Sequence, residues 1–157
     1  MKKYPLSIRI LLYFQKKRYG APLGPTLAWG LRPNLLFAFL KLGKAFEKKS
    51  TLSSHLRTLV MLKISELNEC PFCIDLNTYR LRQENGSPSA ADECALEYAT
   101  ALFEKREADD ALLEKLKSHF SEAAIVELTA LIGFQYLSSL FNRALRIPAQ
   151  GICKIKN

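Results

Sequence analysis

The segment 56-LRTLVMLKISELNECPFCIDLNTYRL-81 contains two helical patterns and an abrupt junction between them. Leu56, Leu59, Val60, Ile64 and Leu67 recur at intervals of three and four, the spacing of one buried helix face. Ser53 or Ser54 stands upstream as a capping residue. Pro71 cannot donate a backbone hydrogen bond, so it ends the first helix or opens a second, where its fixed φ suits the first turn. The run "PFCIDLNTYRLRQENG" predicts that second helix, closed by Asn85-Gly86. Cys70 and Cys73 straddle the junction.

Helical periodicity continues in both directions. Upstream, Ser7 is expected to cap a helix carrying Ile8, Leu11, Leu12 and Phe14 and ending near Gly20. Thr26 is expected to cap a short helix through Trp29, and Pro33 opens "PNLLFAFLKLGKAFEKK". Downstream come "SPSAADECALEYATALFEKR", with Pro88 in its opening turn, and "DDALLEKLKSHF". Last is "SEAAIVELTALIGFQYLSSLFNRAL", capped by Ser121 and stopped before Pro148. That final helix is apolar on most of its circumference, which predicts a central core helix, a subunit interface, or both. No stretch alternates like a strand. The expected fold is all-α, one domain over 1–157: basic helices over 1–57, dithiol-bearing and core helices over 58–147, and a tail over 148–157.

Composition is that of a globular domain, 48% hydrophobic and 24% charged, and no run of about 20 apolar residues predicts a membrane span. The N-terminus imitates a signal peptide, but Arg9 breaks its apolar run and "QKKRYG" replaces a small-residue cleavage site. It reads as a mature helix, and the expected compartment is the cytoplasm. The net charge of +8 is uneven: residues 1–57 hold twelve Lys/Arg and a single acid, Glu47. This basic third reads as a solvated face or as a docking surface for something acidic. No nucleic-acid module accompanies it.

A Cys-x-x-Cys where thiols are kept reduced is catalytic or metal-binding more often than structural. With Cys70 at the helix cap and Pro71 at the first helical position, both sulfurs fall in the first turn. Unpaired N–H groups and the helix dipole favour thiolate there. A redox dithiol is the leading reading; a structural buried pair and a metal site stay open beside it. A structural zinc site needs about four ligands, yet Cys94 and Cys153 are isolated and His55 and His119 share no ligand spacing. Nothing pairs a cysteine with a histidine as in papain-like enzymes. Cys94 lies on an apolar helix face with Ala91, Ala95 and Tyr98 and reads as core, Cys153 as an exposed tail residue, and both histidines as helix-end residues.

The segment 56–81, together with "HFSEAAIVELTALIGFQYLSSLFNRALRIP", resembles the carboxymuconolactone decarboxylase superfamily, most closely its alkylhydroperoxidase D-like branch. The resemblance implies a helical bundle assembled as a homo-oligomer, trimer or hexamer. It implies a dithiol that reduces hydroperoxides, recycled by a thiol or a lipoylated protein, with no cofactor and no metal. Within the branch motif, Cys70 and Cys73 carry over. The Glu expected twelve residues before the first cysteine is Thr58, and the His four residues after the second is Asn77. Neither is a base near neutral pH, and general acid–base help is typically worth ~10²–10⁴ in rate. Glu66, four residues before Cys70, is the best-placed substitute, with Glu69 and Asp75 nearby. The functional expectation is therefore a thiol-dependent peroxidase or disulfide reductase with an altered proton relay. The alternative is a non-catalytic helical oligomer that binds a partner or senses redox state.

Overall fold

A computed structural model describes residues 4–48, 50–84 and 86–155, and among them the regular structure is helical, with no strand. The helices are α1 (Leu6–Tyr19), α2 (Gly24–Trp29), α3 (Pro33–Ala45), α4 (Ser54–Leu67), α5 (Pro71–Leu81), α6 (Ala90–Lys105), α7 (Asp110–His119) and α8 (Glu122–Ala144). A single 3₁₀ turn, Ile152–Lys154, follows.

Serine or aspartate caps start four of them. Ser53, Ser89, Asp109 and Ser121 each accept a hydrogen bond from the backbone N–H three residues on. Ser89 and Asp92 cap reciprocally, which leaves Pro88 just outside α6 rather than in its first turn. Ser7 and Thr26 are not caps. Pro5 precedes α1 without a side-chain bond, and the Gly24-Pro25 pair begins α2 three residues early, because proline is already set to a helical φ. Helix α5 ends at Leu81, short of the expected Asn85-Gly86 stop. Gln83 and Glu84 tighten onto Arg80 and Leu81 by i→i−3 bonds, and Asn85 lies outside the described residues.

The main core forms where Leu56, Val60 and Ile64 of α4 meet Cys94, Ala95, Tyr98 and Ala99 of α6 and Leu128, Leu131 and Ile132 of α8. A second small core, Tyr4, Ile8, Leu12 and Leu36, ties α1 to α3. Helix α8 is buried on one side only. Val126, Leu137 and Leu140 are exposed, while Gln135, Ser139 and Asn142 are buried. By length and composition this helix could cross a membrane, with a mean hydropathy of 1.5 over its most apolar window. The sequence expectation of no such stretch counted unbroken apolar runs, and Gln135, Ser138 and Ser139 interrupt this one too mildly to lower its average.

Asp75 of α5 ties down the tail. Its carboxylate accepts from the backbone N–H groups of Gln150 at 2.8 Å, Ile152 at 2.9 Å and Cys153 at 2.8 Å. Burial pushes this carboxyl up, but bonds from the backbone and thiol of Cys153 and from Ile152 and Gln150 outweigh it and hold it below its usual range. Asp75 is thus committed to structure and is not spare for proton transfer. A carboxyl held down by folding contributes stability that is full above its unfolded value of about 3.9 and is lost as pH falls through its folded value. Asp75→Asn is expected to lower unfolding free energy by about 1–3 kcal/mol. In urea titrations at several pH values, the gap from wild type should be constant near neutrality and close only in acid.

Candidate active site

The junction foreseen at Pro71 is a helix stop followed at once by a helix start. The Cys70 N–H reaches back to the Ser65 carbonyl at 2.9 Å, and the Glu69 N–H to the Glu66 carbonyl at 2.8 Å. This pair of bonds is a Schellman closure, with Glu69 as its left-handed residue at φ 48°. A non-glycine residue there costs roughly 1–2 kcal/mol. Arg143 of α8 braces the turn, donating to the Glu69 carbonyl at 2.8 Å and its carboxylate at 3.2 Å. The next residue, Cys70, is already the N-cap of α5, and its sulfur accepts from the Cys73 N–H at 3.4 Å. Pro71 occupies the first turn, as expected.

The two sulfurs stand 2.6 Å apart, with Cys70 0% and Cys73 3% exposed. Such burial leaves a cavity as their route to solvent. A cavity of about 510 Å³ lies between α1–α3 on one side and α4, α5 and α8 on the other. Cys73 forms part of its wall; Cys70 does not. The Cys73 thiol is lowered to about 6, chiefly by a hydrogen bond from the Cys70 S–H; burial opposes this, while Ser139, Asn142 and Ser138 assist. The Asn142 Nδ2 donates to the Cys73 sulfur at 3.2 Å. Cys70 is pushed up by its bond to Cys73, by burial and by its neighbour's charge. The two shifts run in opposite directions, favouring the charged form at Cys73 and the protonated form at Cys70.

Asn77, at the relay position, is buried and joined to the dithiol by neutral groups alone. Its Nδ2 donates to the Ser65 hydroxyl at 3.0 Å. Ser65 donates to the Met61 carbonyl at 2.6 Å and also accepts from Gln135 Nε2 at 3.0 Å. Gln135 donates onward to Ser139 at 3.1 Å, and Ser139 bonds Cys73. Thr58 is buried on α4, but this network bypasses it. Glu66 is exposed on α4 and takes no part in the contacts of either sulfur, because the helical turn that points Ser65 inward points Glu66 out. Ser65, Gln135, Ser138, Ser139 and Asn142 were not foreseen. The signal was present: on α8 the polar residues recur at intervals of three, four and seven, a polar stripe along an otherwise apolar helix.

The other candidates lie elsewhere. Cys94 is fully buried in the main core, and His55 and His119 sit at the start of α4 and the end of α7. Cys153 is half-buried rather than exposed, its thiol against Asp75. Among the described residues, no group of three or more His, Cys, Asp or Glu is placed to hold a metal ion.

This arrangement of helices recurs in solved structures. A peroxidase-related protein from Ralstonia eutropha JMP134, described as an alkylhydroperoxidase AhpD core, superposes with a TM-score of 0.84 at 18% identity, over 98% of this chain and 93% of that one. A peroxidase-related protein from Silicibacter sp. TM1040 gives 0.79 at 19% identity, over 91% and 84%. The debrominase Bmp8 gives 0.81 at 18% identity, over 95% and 89%. At such identities the likeness is one of fold: an all-helical, AhpD-like architecture. No family model matches the sequence. In sequence the chain is 36% identical to protein YnjA of Escherichia coli (strain K12) over 172 residues, 99% of this chain and 94% of YnjA. The chain belongs to the same family as YnjA, and its fold is the AhpD-like helical one that the sequence resemblance implies.

Two titrations check the division of roles. Ultraviolet thiolate absorbance should show one group titrating near the Cys73 value of about 6 and lost in Cys73→Ser. In Asn142→Ala that midpoint should move up, since a hydrogen bond to a charged group contributes about 1.5–3 kcal/mol.

Proposed function

We propose that the chain is a thiol-dependent peroxidase in antioxidant defence, with Cys73 as the attacking sulfur and Cys70 as the resolving one. The observation that carries this reading is a buried pair of sulfurs 2.6 Å apart, of which Cys73 alone forms part of the cavity wall. The Cys73 thiolate attacks the terminal oxygen of a hydroperoxide and the O–O bond breaks. This forms a sulfenic acid on Cys73 and an alkoxide. The alkoxide takes the Cys70 proton and leaves as the alcohol. The Cys70 thiolate attacks the sulfenic sulfur, the disulfide closes, and hydroxide leaves and is protonated by solvent to water. Two electrons pass from the dithiol to the peroxide, and a dithiol or lipoylated-protein donor returns them by exchange.

In this scheme Cys70 supplies the proton that a Glu–His relay would otherwise move. Ser138, Ser139 and Asn142 hold the thiolate by hydrogen bonds, and Asn77, Ser65 and Gln135 brace Ser139 behind them, none changing its own charge. With a disulfide as oxidant, the Cys73 thiolate would attack one of its sulfurs and expel a thiolate, and Cys70 would then resolve the mixed disulfide by expelling the second. We place the protein in the cytoplasm, where donors of this kind keep thiols reduced. We further propose a homo-oligomer, supported by exposed Leu6, Ile10 and Phe14 on α1 and Leu137 and Leu140 on α8.

Stopped-flow reduction of cumene hydroperoxide with a dithiol donor tests the cycle. Cys73→Ser should lose the activity, and Cys70→Ser should allow at most one turnover, trapping sulfenic acid on Cys73. The second-order rate should rise with pH as Cys73 ionises and level off above its value of about 6. A flat profile, or a rate indifferent to both substitutions, sinks the proposal. If the dithiol does not oxidise under mild peroxide, the non-catalytic binding reading takes its place. Sedimentation as a monomer would rule out the oligomer.

A further inference from the structure

The cavity has two chemically distinct zones. Its inner wall is aromatic. Trp29 stacks on Phe39 at 5.3 Å between ring centroids, and Phe39 stacks on Phe134 at 4.5 Å. Gly43 makes room for this ladder, since a Cβ there would lie 3.2 Å from the Phe134 ring. Its edge is basic. Arg18, Lys44, Arg57 and Arg80 all line the cavity, against a single acid, Glu47. Arg18, Lys44 and Arg80 all keep solvent contact, though burial lowers the Arg80 guanidinium below its usual value and Tyr19 and Glu47 partly offset this.

These cations are not consumed by ion pairs. Among the described residues, Lys115, Lys117 and Arg143 pair with carboxylates at 2.6–3.2 Å, and the four cavity cations do not. Arg57 is occupied in part, donating to the Leu52 carbonyl at 2.5 Å and lying near Glu127. Arg80 reaches inward to the Asn77 Oδ1 at 3.5 Å, beside the dithiol network. Arg18 and Lys44 come from α1 and α3, so the basic N-terminal third contributes directly to the cavity rather than only to a solvated face.

We propose that this cavity selects amphiphiles with an anionic head group, the head held at the Arg18–Lys44–Arg80 edge and the apolar body lying along the Trp29–Phe39–Phe134 wall toward Cys73. The volume of about 510 Å³ lies within the range of roughly 300–1,000 Å³ typical of small-molecule sites. Guanidinium groups suit a carboxylate or phosphate head, and an aromatic wall suits an apolar body. The inference rests on the cavity being the substrate site of the dithiol, and it defines the hydroperoxide class as anionic amphiphiles.

Trp29 is the only tryptophan in the chain and lies in the cavity wall, so its fluorescence reports occupancy without any turnover. Decanoate and decan-1-ol, matched in chain length, are titrated into the full-length protein. Decanoate is expected to bind at least about tenfold more tightly, with the ratio falling as salt is added. The double variant Arg18→Gln/Arg80→Gln should bring the ratio toward one, whereas Lys117→Gln, on α7 away from the cavity, should leave it unchanged. Equal affinities, no response of Trp29 to either ligand, or a ratio that survives the double variant would each overturn the proposal. Turnover of cumene hydroperoxide, a neutral substrate, is followed in parallel. Normal turnover with equal affinities rejects the ligand class alone. A retained ratio without turnover supports the ligand class and rejects the peroxidase reading.

Discussion

The closeness of two buried sulfurs, Cys70 and Cys73, organises this site. Two buried sulfurs 2.6 Å apart cannot both carry charge, and two neutral thiols would leave the Asn142, Ser138 and Ser139 donors without an anion to face. Placing the proton on Cys70 satisfies both demands. The charged sulfur is then the one in the cavity wall, and the protonated one lies behind it. The backbone enforces this order, because the Schellman closure at Glu69 makes Cys70 the N-cap and Pro71 the first turn, so that Cys73 arrives one turn later facing α8.

Around that proton the polar groups are amides and hydroxyls rather than a carboxylate and an imidazole. The difference is physical as well as chemical. A Glu–His pair changes its own charge during a cycle, whereas Asn77, Ser65, Gln135 and Ser139 can only orient and donate. Their hydrogen bonds are mutually satisfied, with Ser65 using one donor and both acceptor positions. The Asn142 Oδ1 is the exception, the one buried side-chain N or O among the described residues without a partner. It lies on the residue whose Nδ2 donates to the Cys73 sulfur.

The three N-terminal helices complete the site without touching the sulfurs. They carry their own small core and enclose the space in front of Cys73 with an aromatic ladder. The cavity in front of Cys73 has walls that come from both halves of the chain. The walls are thus divided: α4, α5 and α8 surround the Cys73 sulfur, while α1–α3 face it across the cavity.

Much of this was legible in the residues. Periodicities of three and four defined the helices from α3 to α8, because a buried helix face demands them. Pro71 marked the helix start, because proline suits no other part of a helix, and the dithiol spacing followed from that turn. The caps at Ser53 and Ser121 were readable for the same local reason. Ser7 and Thr26 misled, since a serine or threonine near a helix start is equally at home inside the first turn when a proline precedes it. The supporting residues of the site depended on long-range packing. Gln135, Ser139 and Asn142 lie some seventy positions from Ser65 and Cys73, and no local rule says that α8 turns its polar stripe toward α5. Glu66 and Ser65 are adjacent in sequence, and the rotation of α4 against the core alone buries the hydroxyl and exposes the acid. The basic third likewise acquired its place only when α1 and α3 folded over the dithiol, because a charge has a role only relative to the surface it faces.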